Sequence, residues 1–510
     1  MQREGIGEDG WYVAYKGTKP AHDLHHLSTL TAHSAGSWAA HGAASSPEPS
    51  CAVMIPFRAG FLIPAVLLAG CSTLSTPYVR PALPNAPAWQ DSAGVTAPAA
   101  ATDWWRSFGD PKLDVLVEAV LRNNNDILGA TLRVKKALIQ SEQSGAARLP
   151  VLNGTGSGQS ALAFQDGSTT NSFTLGLGAS YEVDLWGRLA GAQDIAALQA
   201  AASAEDFETA RTTVVAATIE TYWRLAFTNQ DLAIARAGLD AAKKVETLVV
   251  SQAAAGAATE LELAEVRQSV ESQAAQFVDL EQSRVTLRNA MSVLLNGLPT
   301  PVTEPQSLPQ RTPVKITVGL PSELLARRPD LRAAELRLRA SLRGVDTTRA
   351  SLYPQVSLTG NLGSTSNELL QLLANPIATL GDGLVLPFLN FKDGELRVKV
   401  SEIDYQIAVS EFRAALLTAY SDTGNALSAR TMLNEKSRRL RGALEAAQAA
   451  DRLTEERYRA GSVALRIWLD AQERSRTAQR ALAANRLDQL VTEVQIFRVL
   501  GGSPMLPNAL

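Results

Sequence analysis

Histidine and cysteine are almost missing from this chain. All five histidines (His22, His25, His26, His33, His41) fall in the first 41 of 510 residues, and the cysteines are Cys51 and Cys71. A chain maturing at Cys71 keeps no histidine and one cysteine, at its own N-terminus. That excludes His-based triads, Cys–His nucleophiles, His/Cys zinc sites and internal disulfides. Excess charge is lacking too: 48 Lys and Arg against 51 Asp and Glu, net −3, give no basic footprint for nucleic acid. No apolar run reaches the roughly 20 residues of a spanning helix. Proline is absent from 188–298 and from 388–503. What is present, 45% apolar and 19% charged residues, is not the composition of a disordered chain.

Residues 54–71 read MIPFRAGFLIPAVLLAGC. Met54 can start translation, Arg58 supplies a basic region, and Phe61 to Ala69 is apolar but too short to span a bilayer. Leu68-Ala69-Gly70-Cys71 then sets small residues before a cysteine. The segment looks like a bacterial lipoprotein signal, cleaved before Cys71, whose thiol is then lipidated; the alternative is a short buried helix ending in Cys. Residues 1–53 show no apolar period, and are expected to be a non-structured leader or a misassigned start. After Cys71, Pro77, Pro81, Pro84, Pro87 and Pro98 favour extended backbone. This reads as a tether, 71–103, from a lipid anchor to a folded body.

The body is one unit written twice. LRNNNDILGATLRVKKALIQSEQSGAARLPVLNGTG, from Leu121, aligns without gaps with LARRPDLRAAELRLRASLRGVDTTRASLYPQVSLTG, from Leu325. Asp126 matches Asp330, Pro150 matches Pro354 and Gly156 matches Gly360, each at an offset of 204 residues. Gly256 and Gly461 continue the match at 205, and Gly297 and Gly501 at 204. A period this long means duplicated domains rather than a solenoid. The expected units are 104–300 and 321–504, joined by a linker at 301–320 and followed by a tail at 505–510.

Each half reads helix, two strands, then a very long helical stretch. Phe173, Leu175, Leu177, Ala179, Tyr181, Val183 and Leu185 alternate with polar or small residues, a strand period of two. Val356, Leu358 and Leu362 repeat it. The strand between Val151 and Ala163 is Gly/Ser-rich and weakly marked, and Leu384, Leu386 and Phe388 suggest a fourth, interrupted by Asp382. The proline-free stretches are rich in strong helix formers. Each carries a central glycine, Gly256 or Gly461, so each is expected to be a hairpin of a long helix out, a turn, and a helix back. Isolated coiled coils are the alternative, but the heptads are not strict.

Four amphipathic strands cannot close a membrane barrel, which begins at about eight, and open edges cannot sit in lipid. Either the strands form a soluble sheet, in a non-conducting structural periplasmic lipoprotein with coiled-coil hairpins, or several protomers pool them. Three protomers would supply twelve.

Several motifs then carry a family resemblance. They are Trp104-Trp105-Arg106-Ser107-Phe108-Gly109-Asp110-Pro111, Tyr181-Glu182-Val183-Asp184-Leu185-Trp186-Gly187-Arg188-Leu189, Arg328-Pro329-Asp330-Leu331 with Tyr353-Pro354, and Leu469-Asp470-Ala471-Gln472. In this order they resemble the TolC-like outer-membrane efflux proteins, in the lipoprotein branch often called the NodT type, over nearly all of 71–504. The resemblance implies an α+β fold: a trimeric transmembrane β-barrel, four strands per protomer, continued by a long periplasmic α-helical barrel. It implies the passive exit duct of a tripartite efflux pump. The partners would be a periplasmic adaptor and an inner-membrane transporter, commonly of the resistance-nodulation-division type. Such a duct is no enzyme and needs no cofactor, nucleotide or metal. Its place would be the outer membrane, anchored through acylated Cys71.

The resemblance also places a gate at the periplasmic tip. Tyr458 and Asp470 match the family's tip positions around the turn glycine Gly461. Glu265 is the first-half counterpart of Asp470, and Glu262 falls in the matching stretch beside Gly256. Threefold symmetry would gather the acidic groups into a ring that attracts cations. Otherwise Asp470 is a solvated residue pairing with Arg466 or Arg474, and Tyr458 a helix-packing residue. Two departures stand out. Arg466 occupies a position usually apolar in relatives and would partly neutralise the ring. Glu395 stands where many relatives carry Arg, at the junction that keeps Gly394. Trp468 is left open between packing in the tip and facing a lumen.

Overall fold

The computed structural model describes residues 75–81, 103–297, 304–310 and 327–502, all within one unit, Ile63–Leu510. Cys71, the signal segment 54–70, most of the tether and linker, and the tail lie outside the described residues.

The first aromatic motif is a joint. Trp104–Phe108 forms a 3₁₀ turn, and Gly109 leaves it at φ +61°. Asp110 then caps helix α1 (Pro111–Asn123), accepting from Lys112 N at 3.0 Å and Leu113 N at 3.3 Å, with Pro111 at the first position. Its other oxygen accepts from the Tyr222 hydroxyl at 2.9 Å. Trp104 stacks on Phe497 at 5.0 Å, and Phe108 meets Trp223 and Phe497 edge-on. The motif thus glues the start of the first repeat to a long helix and to the chain's last helix. Leu113, Val117, Ile219, Leu490 and Val494 complete this main core.

The expected first helix proves to be two. At Asn124 the backbone turns extended, ψ 131°, and the side chain caps α2 (Asn125–Ala146) from Asp126 N and Ile127 N. The hairpins follow as expected: α3 (Arg188–Ala254) with α4 (Glu260–Leu294), and α6 (Phe391–Arg459) with α7 (Leu465–Val499); α5 (Pro329–Ala350) opens the second repeat. At 67 and 69 residues, α3 and α6 run about 100 Å each. Their return helices have 35 residues. The shortfall is made up end to end. Asn124 Nδ2 donates to Leu294 O at 2.9 Å, so α4 stops where α2 starts. Arg328 Nη1 donates to Val499 O at 3.4 Å, so α7 stops where α5 starts. Each meeting sets the negative end of one helix dipole against the positive end of the next.

The four strands make one antiparallel sheet in the order β1 (Val151–Leu162), β2 (Thr169–Val183), β3 (Gln355–Ser366), β4 (Ile377–Val385). The register puts Leu152, Leu175, Leu177, Leu358, Leu362, Leu380 and Leu384 on one face and Thr155, Ser180, Ser357, Thr359 and Asn361 on the other. The apolar face is bare: Leu152 is 80% and Leu380 91% exposed. The glycines of β1 lie on that face under β2 side chains. A Cβ at Gly158 would come 3.2 Å from the Phe173 ring, and Gly154 and Gly156 face Leu177 and Leu175. The fourth strand ends at Val385, so Leu386 and Phe388 are not in it. Pro387, without an N–H, opens a 3₁₀ turn, Pro387–Asn390, instead. Asp382 pairs with Leu358 on the apolar face.

The second motif ties the repeats together beneath the sheet. Asp184 caps α3 through Leu189 N (3.1 Å) and Ala190 N (2.7 Å), and Arg188 grips both carboxylate oxygens of Glu182. Trp186 donates from Nε1 to Pro354 O at 2.8 Å and stacks on Tyr353 at 4.9 Å. At the partner junction a Cβ on Gly394 would lie 2.8 Å from Leu352 Cδ2, so any larger residue would have to push that side chain aside. Glu395, the departure, pairs with Lys392 and Lys399.

The described part of the tether is docked rather than free. Residues 75–81 run antiparallel along α5 as a strap. Thr76 donates from N and Oγ1 to the two oxygens of Asp346, at 2.8 and 2.7 Å. Arg80 and Tyr78 reach Glu335, and Arg339 lies 4.7 Å over the Tyr78 ring. Both acids are buried, 3% and 7% exposed. Burial opposes ionisation of Glu335, yet Arg80 and Arg339 outweigh it and hold its pKa below the ordinary glutamate value. A depressed acid contributes stability above its unfolded pKa and loses it as pH falls through the folded one.

Two outcomes follow from this packing. Phe108→Ala removes a ring buried among three aromatics and should destabilise the chain by about 3–5 kcal/mol, read as a lower melting midpoint; an unchanged midpoint would contradict the joint. Strap amides at residues 75, 76 and 78–80, corrected for intrinsic exchange, should stay protected from deuterium down to mild acid. They should lose protection once pH drops below the usual glutamate range, and Glu335→Ala should remove it at neutral pH.

Candidate functional site

Both hairpins turn by the same device. Gly256, at φ +73°, donates to Ala253 O at 3.0 Å while Ala257 N reaches back to Gln252 O at 2.7 Å. Gly461, at φ +71°, donates to Tyr458 O at 2.8 Å while Ser462 N reaches Arg457 O at 2.9 Å. These are Schellman closures, which need a left-handed residue, most often glycine and sometimes asparagine. The same pattern ends α4 at Asn296–Gly297 and α7 at Gly501–Gly502. Thr259 then starts α4 with a capping box in which Glu262 is the returning acid, bonded to Thr259 N at 2.8 Å.

The turn ends share a small core. Val245 and Val249 of α3, Val266 of α4, and Leu465 and Trp468 of α7 are buried together, with Tyr458 against them. Tyr458 stacks on Trp468 at 5.2 Å and donates its hydroxyl to Gln252 Oε1 at 3.1 Å. Burial, and then the nearby Glu262 carboxylate, push the Tyr458 pKa up, so the phenol stays protonated and donating. Arg466 Nη1 lies 3.8 Å from Glu265 Oε1, a second tie from α7 to α4. Arg466 is mostly exposed, so this pair is worth no more than about 1 kcal/mol, and the hydroxyl bond about 0.5–1.5 kcal/mol.

Four of the five expected gate residues therefore meet here. Tyr458 and Arg466 of the second hairpin touch Gln252 and Glu265 of the first, and Glu262 sits beside them as a cap. Asp470 stands apart: it is exposed and makes no ion pair among the described residues, with neither Arg466 nor Arg474. Trp468 is a packing residue, 4% exposed. Sequence reasoning missed Gln252. The offset of 205 relates Tyr458 to Ala253, whose neighbour is the actual partner. It also missed Asp451, about two turns before Tyr458 on α6. Burial first, then Glu455, push its pKa up, while Arg476 offsets part of this. No cluster of three or more His, Cys, Asp or Glu side chains suited to a metal occurs among the described residues. Nor is any described helix long and apolar enough to cross a membrane.

The raised pKa of Asp451 fixes a sign. The folded chain holds this proton more tightly than the unfolded chain, so ionisation is unfavourable to folding and stability falls as pH rises above the ordinary aspartate value of 3.8. Asp451→Asn should raise the melting midpoint at neutral pH, and the gain should vanish in acid. A gain that persists below the aspartate range would assign it to something other than charge.

Comparison with known proteins agrees with this architecture. A family model described as outer membrane efflux protein matches residues 116–297 and again 320–502, one copy per repeat. The pyoverdine export outer membrane protein OpmQ of Pseudomonas putida is 34% identical over 461 residues, 86% of this chain and 96% of that protein. The toluene efflux pump outer membrane protein TtgC, from another strain of the same species, is 30% identical, over 86% and 94%. Among solved structures, the outer-membrane channel OprN superposes with a TM-score of 0.76 at 27% identity, over 84% of this chain and 98% of that one. The open state of the Neisseria gonorrhoeae MtrE outer membrane channel gives 0.76 at 26%, over 86% and 99%. With its two repeats, its antiparallel sheet and its paired hairpins all matched, the chain belongs to the outer membrane efflux protein family.

Proposed function

We propose that three copies of this outer-membrane efflux protein assemble into one duct, each giving four strands to a twelve-stranded barrel and its helices to a periplasmic helical barrel. The carrying observation is the sheet itself. It presents a bare leucine face, a polar face and two strand edges, β1 and β4, that find no partner among the described residues. In lipid each unpaired backbone group costs several kcal/mol, and pooling the sheets removes both edges at once. The polar face then lines the passage.

The duct is the exit of a tripartite pump, fed through a periplasmic adaptor by an inner-membrane transporter of the resistance-nodulation-division type. Cys71 carries the lipid anchor. The strap supports this, because residue 76 lies at the sheet end of α5. At the other end, Tyr458–Gln252 and Arg466–Glu265 latch the two hairpins of one protomer, and Asp470, without an ion pair among the described residues, supplies the carboxylate that three copies gather at the constriction.

The test is single-channel conductance in planar bilayers, with the oligomer mass measured on the same sample. A trimer with small, cation-selective openings is expected. Asp470→Ala with Glu265→Ala should reduce cation selectivity and enlarge the closed-state leak, and Tyr458→Phe should enlarge the leak alone. A monomer that never conducts would refute the duct. Unchanged conductance in every variant would remove the gate and leave the duct.

A further inference from the structure

Away from sheet and hairpin ends, a cavity of ≈ 700 Å³ lies where α3, α6, α7 and residues 304–310 converge. Its charged lining has one sign. Arg438 and Arg441 of α6 and Arg486 of α7 border it, with Gln310 and Gln479 among the neighbouring amides. The arginines differ in how they are held. Arg486 is half-buried and fixed by Pro309 O, to which Nε and Nη2 donate at 3.1 Å, and by Gln489 Oε1 at 3.1 Å from Nη1. Arg438 shares Glu435 with Arg439, so one carboxylate serves two guanidiniums. Arg441 has no ion pair among the described residues. Burial lowers the basicity of Arg486; the field of Glu493 opposes this, and the like charge of Arg441 adds a smaller lowering. Three guanidiniums and no carboxylate on the wall give the cavity a positive potential that an anion relieves.

We infer that this cavity is a binding site for a small organic anion, a carboxylate or phosphate ester, held by Arg441 and Arg486. The volume is many times that of an inorganic anion, and Ile234, Leu444 and Leu482 also line it. The charged group sits between the guanidiniums, the amides orient it, and an apolar remainder covers the aliphatic side chains, the usual division of labour in small-molecule sites. Bidentate geometry favours carboxylate and phosphate alike.

The experiment uses the assembled protein in nanodiscs and ¹⁹F NMR of 4-(trifluoromethyl)benzoate, with 4-(trifluoromethyl)benzamide as the neutral control for lipid partitioning. Arg441 is exposed, so Arg441→Ala should fold normally. The benzoate should bind saturably, one per chain, and the benzamide should not. Arg441→Ala should weaken binding tenfold or more, Arg441→Lys should recover part of it, and phenyl phosphate should displace the probe better than inorganic phosphate. Equal behaviour of benzoate and benzamide, or an Arg441→Ala titration that overlays the parent, would overturn the site. Displacement by inorganic phosphate as good as by phenyl phosphate would overturn its organic specificity.

Discussion

Two helices of 67 and 69 residues impose the constraint that the rest of this structure answers. An α-helix of that length satisfies its own backbone, but it must bury one side along about 100 Å. The helices packed along their flanks are each too short to cover that length. The solution is a relay: α2 and α4 share the flank of α3, and α5 and α7 share that of α6. The meeting points, Asn124 with Leu294 and Arg328 with Val499, are where helix ends would otherwise expose unpaired carbonyls. The aromatic joint of Trp104, Phe108, Trp223 and Phe497 lies in the same core as Leu294, so the largest side chains back the interruption.

Much of this is written plainly in the sequence. The constant offset, the proline-free stretches and the central glycines give two hairpins, because helix propensity and left-handed turns are local properties. The β2 alternation is equally local. What escapes is set by neighbours. The strand β1 carries its apolar cover on β2: Phe173 and the two leucines lie over Gly158, Gly156 and Gly154, so its own residues show no period. The break at Asn124 depends on one side chain choosing to cap, and the end of β4 on Pro387 rather than on the hydrophobic run around it.

The hairpin ends show the same division. Position relative to Gly461 identifies Tyr458 as a residue of the turn, and the resemblance gives it a role. Its partner is set by how two hairpins lie together, and the repeat offset points one residue away from Gln252. Acidic residues that look alike in sequence take different partners in space. Glu262 closes a capping box, Glu265 meets Arg466, and Asp470 meets neither neighbouring arginine. Charge counting treats them as one ring; geometry gives each a different duty.

The strap has a mechanical consequence. Thr76 is clasped at Asp346, near the sheet end of α5, and Arg80 at Glu335, farther from it. A pull from the residues preceding Ser75, towards the sheet, runs along the axis of α5. It therefore loads both clasps together in shear, whereas a pull away from the helix surface would unzip them one at a time. Attachment from the sheet side is the direction in which this segment resists tension best.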